Sequence, residues 1–219
     1  MKHIKIIWFA ILITVISFLN IYAQNIGAKN EKDILDKYQN NKKVKQLIYV
    51  EYISGSDANL KMYIKDKKNN WTNILETSAF IGKNGIGKEK EGDFKTPIGD
   101  FNVTKSFGIK KNPGTSLKYV DVTESIYACD EKCKYYNKII NIDKIKHICK
   151  GEHLIEFIPK YNYGMCFDFN KKNKYPEGSC VFVHVKGSKN YTAGCIAIDE
   201  ESMITLLKNS TTKTKICIH

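Results

Sequence analysis

A mainly β fold, a sandwich or barrel with one C-terminal helix and a cysteine-containing insertion, is the architecture this chain predicts. Three observations predict it. Short segments rich in β-branched and aromatic residues recur from residue 46 onward, clusters of Gly, Asn, Pro and Ser separate them, and a helical pattern stands out only near the C-terminus. Alternating βαβ units are not indicated, because no helix-length amphipathic pattern lies between consecutive strands.

Residues 1–23 are set aside before any fold reasoning. Lys2 and Lys5 precede a charge-free run from Ile6 to Leu19, and Asn20-Ile21-Tyr22-Ala23 offers a cleavage site after Ala23, which is the pattern of a signal peptide. An uncleaved anchor is the alternative, since Ile6 to Ala23 approaches the lower length of a spanning helix, about 17 residues. Both readings place the remainder outside the cytoplasm, secreted or in the cell envelope, and make any membrane contact a matter of the N-terminal segment. Residues 24–45 are polar, with weak apolar periodicity at Ile34, Leu35 and Tyr38, and read as a linker or a short docked helix. Residues 46–219 then form a single domain.

Strands are expected at 47–53, 60–64, 74–81, 101–107, 154–158, 164–169, 180–185, 195–198 and 215–218. Turns are expected at Ser54-Gly55-Ser56-Asp57, Gly82-Lys83-Asn84-Gly85, Lys111-Asn112-Pro113-Gly114 and Tyr175-Pro176-Glu177-Gly178. The helix falls at 200–208: Asp199 is its N-cap, Glu200 and Glu201 complement the dipole, and Met203, Ile204, Leu206 and Leu207 form the apolar face.

The formal charge is +12, all of the positive charge coming from lysine because the chain contains no arginine. Such a surface suits an acidic wall polymer. The lysines are scattered rather than striped, which with an export signal argues against nucleic acid. Seven cysteines, Cys129, Cys133, Cys149, Cys166, Cys180, Cys195 and Cys217, are an odd number in an oxidising compartment, so one thiol is expected to be left over while the connectivity of the rest stays open. Cys129, Cys133, His147 and Cys149 have a spacing that zinc could use, but disulfides tying down an insertion at about 121–150 are preferred, and this insertion is a candidate flap over an active-site cleft. No cofactor and no metal are expected. His3, His153 and His219 have structural readings.

The residues that could carry chemistry cluster late in the chain. His184 lies in Val181-Phe182-Val183-His184-Val185, and Cys195 follows the tight turn Thr192-Ala193-Gly194. A thiol nucleophile needs a base, and imidazole suits that near neutral pH. Gly194 permits a strained backbone beside the nucleophile, and N–H groups around Gly194 and Cys195 could face an oxyanion. By spacing alone, a buried cysteine beside a satisfied histidine is the ordinary explanation of the pattern.

Thr192-Ala193-Gly194-Cys195-Ile196 after Phe182-Val183-His184-Val185 resembles the signature of the L,D-transpeptidase catalytic domain. Gly85-Ile86-Gly87-Lys88, followed by Gly92-Asp93-Phe94-Lys95-Thr96-Pro97-Ile98-Gly99-Asp100-Phe101, is similar to that family's loop and strand, and Gly178-Ser179-Cys180 to the entry of its histidine strand. The resemblance implies an exported cysteine acyl-transferase acting on peptidoglycan stem peptides, a transpeptidase or, with water as acceptor, a carboxypeptidase. It implies Cys195 with a depressed pKa as nucleophile, His184 as base, Thr192 orienting imidazole or substrate, and Gly194 at the oxyanion hole. Ala193 departs from the pattern, since many members carry a histidine there. With no arginine available, Lys186 is the candidate for a substrate carboxylate. A monomer is expected. The competing reading is a secreted, disulfide-stapled module that binds wall polymer without turnover.

Overall fold

The computed structural model describes residues 30–145 and 151–219. The expected export signal at residues 1–23 and the His147/Cys149 pair lie outside the described residues. Chain contacts separate Met1–Asn30 from Glu31–His219, and the second unit holds every element below. Among the described residues no helix is long and apolar enough to cross a membrane.

The unit is a β-barrel with a small second sheet against its wall. Strands β1 (Gln46–Ser54), β2 (Asp57–Lys65) and β3 (Trp71–Phe80) form a meander. Gly55, at φ +54°, makes the first turn, a left-handed backbone that glycine adopts without a Cβ clash. The order β12-β1-β2-β3-β11-β10-β9-β4 closes on itself because β12 (Thr214–Ile218) pairs with both β1 and β4 (Gly99–Gly108), and β5 (Tyr119–Asp121) extends β4 outside the ring. Closure removes the edges that an open sheet would expose. The remaining barrel strands are β9 (Gly164–Phe167), β10 (Phe182–Val185) and β11 (Ile196–Ile198).

Alternation along these strands sorts side chains between two cores. Inside the barrel, Val183, Val185, Ile196 and Ile198 meet Ile48, Leu60, Met62 and Ile216, and Met203, Leu206 and Leu207 of α2 (Glu200–Asn209) pack into the same cluster. Asp199 caps α2, its Oδ1 accepting from Ser202 N–H at 2.8 Å. Outside the wall, Phe107, Cys166 and Phe182 pack with Ile126, Ala128, Leu154 and Tyr161 in a second core. A third cluster docks α1 (Glu31–Gln39), where Ile34 and Tyr38 pack with Val44, Leu47, Tyr49 and Tyr63.

The second sheet comes from the insertion together with the residues just after it, and both are called the insertion below. Its order is β7-β6-β8, formed by β6 (Ile126–Cys129), β7 (Lys138–Asn141) and β8 (Glu152–His153), all antiparallel. The strand expected at 154–158 is absent: Leu154–Glu156 is a 3₁₀ turn that buries Leu154. An apolar run of this length has no fixed period, and packing into the second core curls it instead of extending it.

Candidate active site

The Thr192–Cys195 turn is built by two stretches of sequence a hundred residues apart. Thr192 N–H donates to Ile81 C=O, and Lys83 N–H to Thr192 C=O, tying the turn to the end of β3. The fully buried Thr96 hydroxyl donates to Gly194 C=O at 2.8 Å and accepts from Gly82 N–H at 2.9 Å. Gly194 sits at φ +148°, and a Cβ there would come within 2.8 Å of Lys95 C=O. Only glycine fits between the two stretches. Thr192 spends its hydroxyl within the turn, donating to Cys195 C=O at 2.7 Å and accepting from Gly194 N–H at 3.0 Å. That hydroxyl reaches neither imidazole nor the cleft, and the Gly194 N–H is already engaged.

Cys195 lies directly before β11. Its sulfur accepts from Phe182 N–H at 3.3 Å and approaches Cys180 C=O at 3.5 Å. The parallel pairing of Val183 with Ile196 and His184 with Ala197 brings Cys195 alongside Phe182, two residues from His184 and on the same face of β10. His184 is buried, and its Nδ1 stands 2.8 Å from Val185 C=O. A carbonyl can only accept, so Nδ1 carries the proton and Nε2 keeps the lone pair in the neutral ring. Tyr161 packs edge-on against His184, with ring centroids 5.6 Å apart, and its hydroxyl donates to Glu152.

Burial sets the protonation states. It pushes the Cys195 thiol up to about 12, the Glu152 carboxylate adding to the rise while Phe182 N–H, Lys88 and Lys160 oppose it. It pushes His184 down to about 4, against the Val185 carbonyl and with Lys160 assisting. The expected depressed thiol pKa is therefore not found: both partners are neutral, because a desolvated thiolate has no imidazolium beside it. Cys180 is held well above the usual thiol range by the same desolvation.

A cleft of about 240 Å³ opens onto the thiol, lined by Cys195, Ala193 and Gly194 on the barrel side and by Ala128, Asp130 and Glu152 on the insertion side. Lys88 also lines it, its ammonium 2.9 Å from Asp93 Oδ1 in a nearly dry ion pair. Burial works to raise the Asp93 carboxyl, but Lys88 and the N–H groups of Lys90, Glu89 and Lys95 hold it far below the carboxylate range. Lys186 is not in the cleft: its ammonium lies over the Phe80 ring and donates to Ser78 Oγ at 2.9 Å. Lys88, not Lys186, is the lysine that lines the cleft. Tyr161, Glu152 and Asp130 were also missed, and no local motif marks them.

The single leftover thiol expected from the odd count is not what the structure shows. Cys133, Cys166, Cys180, Cys195 and Cys217 are all free thiols. Sulfur atoms of Cys129 and Cys133 lie 3.6 Å apart, and with Glu131 they bring three possible ligand atoms within 4.8 Å of one another. His153 stacks on Tyr127 and bonds Glu156, and His219 bonds Asp100 at 2.8 Å at the β4–β12 seam, so both serve packing.

A family model described as the L,D-transpeptidase catalytic domain matches residues 49–218. Among curated proteins nothing matches the chain. Among solved structures, the helical cell shape determining protein Pgp2 (K307A mutant) from Campylobacter jejuni is similar at a TM-score of 0.43 and 15% identity, over 87% of this chain and 54% of that one. The chain thus spans about half the length of that neighbour.

Proposed function

Since this chain belongs to the L,D-transpeptidase catalytic domain family, we propose that it is an exported acyl-transferase of peptidoglycan stem peptides, working through a Cys195 acyl-enzyme with His184 as base. The observation that carries this reading is the Nδ1–H bond from His184 to the Val185 carbonyl, which leaves Nε2 basic on the face of β10 that Cys195 shares.

The dyad starts neutral. As Cys195 Sγ attacks the donor carbonyl, its proton passes to Nε2, the C–S bond forms, and negative charge moves to the carbonyl oxygen. Cys195 N–H is the donor proposed for that oxygen, because Gly194 N–H is committed to Thr192. Collapse breaks the C–N bond, and His184 returns the proton to the departing amine of the terminal residue. An amine acceptor then gives a cross-link and water gives a trimmed stem. The proton transfer accompanies attack instead of preceding it, because a thiol near 12 and an imidazole near 4 do not form a stable ion pair.

Lys88 is the cation placed to meet a donor carboxylate, as a point charge already tethered by Asp93. A disulfide from Cys129 that braces the insertion belongs to the same reading, as does a basic surface drawn to wall polymer. Incubation of the mature chain with a carbapenem, followed by intact mass and peptide mapping, tests the proposal. Acylation confined to Cys195, lost in Cys195→Ala and slowed at least about a hundredfold in His184→Ala, supports it. An unreactive Cys195 would leave the non-catalytic binding module as the better account.

A further inference from the structure

The insertion contributes carboxylates to a cleft whose chemistry otherwise needs none. Glu152 lies on β8 and Asp130 follows β6, and both line the cleft opposite the thiol. Glu152 is half-buried and receives the Tyr161 hydroxyl. The nearby ammonium of Lys88 is bound to Asp93 instead, and that of Lys160, whose charge acts on Glu152 without an ion pair, lies over the Phe157 ring. A carboxylate in such a place is unfavourable for the nucleophile, since its charge opposes thiolate formation. Its position across the cleft from Cys195 suits a positively charged guest.

We propose that Glu152 receives the acyl acceptor, binding a primary ammonium and taking one of its protons. This assignment rests on the acyl-enzyme reading above. An amine in water is mostly protonated and cannot attack until it loses a proton. Transfer of one proton from the ammonium to the Glu152 carboxylate leaves a neutral amine and a neutral acid. The amine nitrogen then forms the new C–N bond to the thioester carbon, the C–S bond breaks, and the electron pair leaves on Sγ. The second amine proton passes through Nε2 of His184 to the sulfur, restoring the thiol, and Glu152 returns its proton to solvent. Burial raises the Glu152 carboxyl above its ordinary value, which suits a proton acceptor for an amine better than a fully solvated carboxylate would. Tyr161 touches both the base and this carboxylate, so one ring orients both groups.

The test measures how one acyl-enzyme partitions between amine and water. The full mature chain is acylated with a peptide thioester, a primary alkylamine is supplied, and amide and acid products are counted by mass spectrometry. Because both products come from the same intermediate, their ratio is independent of how fast acylation occurs. In Glu152→Gln the amide-to-acid ratio should fall at least about tenfold, and Glu152→Asp should restore part of it. On the unmodified protein a quaternary ammonium, which has no proton to give and cannot be acylated, should suppress amide formation while hydrolysis continues, so the idea stays testable even if the variant misfolds. An unchanged ratio in Glu152→Gln, or indifference of the wild-type ratio to the quaternary ammonium, overturns the assignment while leaving the acyl-enzyme intact. A wild-type chain that no donor acylates overturns both readings.

Discussion

A single hydroxyl, that of Thr96, ties the loop before β4 to the turn that carries Cys195. It is fully buried, bonded to Gly82 N–H and to Gly194 C=O, so Thr96→Val keeps the shape and strands both partners. A loss of about 1–3 kcal/mol is expected by urea denaturation, with Thr96→Ser recovering most of it, and thiol acylation should slow in parallel. The protonation states predict a second outcome. His184 is lowered to about 4 in the folded chain, so between about 6.5 and 4 the unfolded chain binds a proton that the folded one refuses. Stability therefore falls as pH drops through that window, by about 3 kcal/mol from this group. His153, raised by Glu156, works in the opposite sense, so the measurement compares wild type with His184→Gln, whose acid limb should be flatter. At the alkaline end, Cys195 at about 12 predicts that iodoacetamide labelling of the native protein climbs through pH 9 without a plateau near neutrality.

At the scale of elements, two joints decide whether the site keeps its shape. One is the loop between β3 and β4, where Asp93 gathers the Lys88 ammonium and three backbone N–H groups. Asp93→Asn leaves a buried ammonium without its counter-charge, for which a cost of about 3 kcal/mol is expected. Glu89, Lys90 and Lys95 amides should then exchange faster. The other joint is the β4–β12 seam. There Asp100 accepts from His219, Lys37 and Tyr38, which hold its carboxyl well below the usual range although burial works to raise it. The seam also explains why α1 docks: Ile34 is fully buried against Leu47 and Tyr49. Ile34→Ala should cost about 2–5 kcal/mol, read as a lower urea midpoint, without altering the chemistry at Cys195.

For the molecule as a whole, the barrel and the insertion sheet should not open together. Eight strands closed around an apolar interior share one large core, whereas β6, β7 and β8 lean on a smaller one shared with the outer wall. Sub-global opening draws on the part with fewer buried contacts. Hydrogen exchange by mass spectrometry should therefore find Ile126–Cys129 and Lys138–Asn141 exchanging well before β1 and β2. Equal protection of the two sheets would contradict this division. Ala128, Asp130 and Glu152 belong to the insertion, so the same experiment should find the turn that holds Cys195 protected while the facing wall of the cleft exchanges.

The barrel class and the α2 helix with its Asp199 cap were legible before any coordinates because each is a local pattern, two-residue alternation or a capping side chain. Cys195, His184, Thr192 and Gly194 were singled out by a resemblance to a known family, since their spacing alone is equally that of a buried cysteine and a satisfied histidine. The insertion was visible as a break in the local pattern, but its three strands were not, because β6 and β8 pair only through contacts made across the fold. Tertiary structure alone decided that Thr96 holds the turn carrying Cys195, that Lys88 and not Lys186 lines the cleft, and that Tyr161 and Glu152 stand beside His184 and Cys195. It also reversed the expected state of the thiol. A pKa depends on what surrounds the group in space, and desolvation by residues distant in sequence outweighs what the residues beside Cys195 suggest.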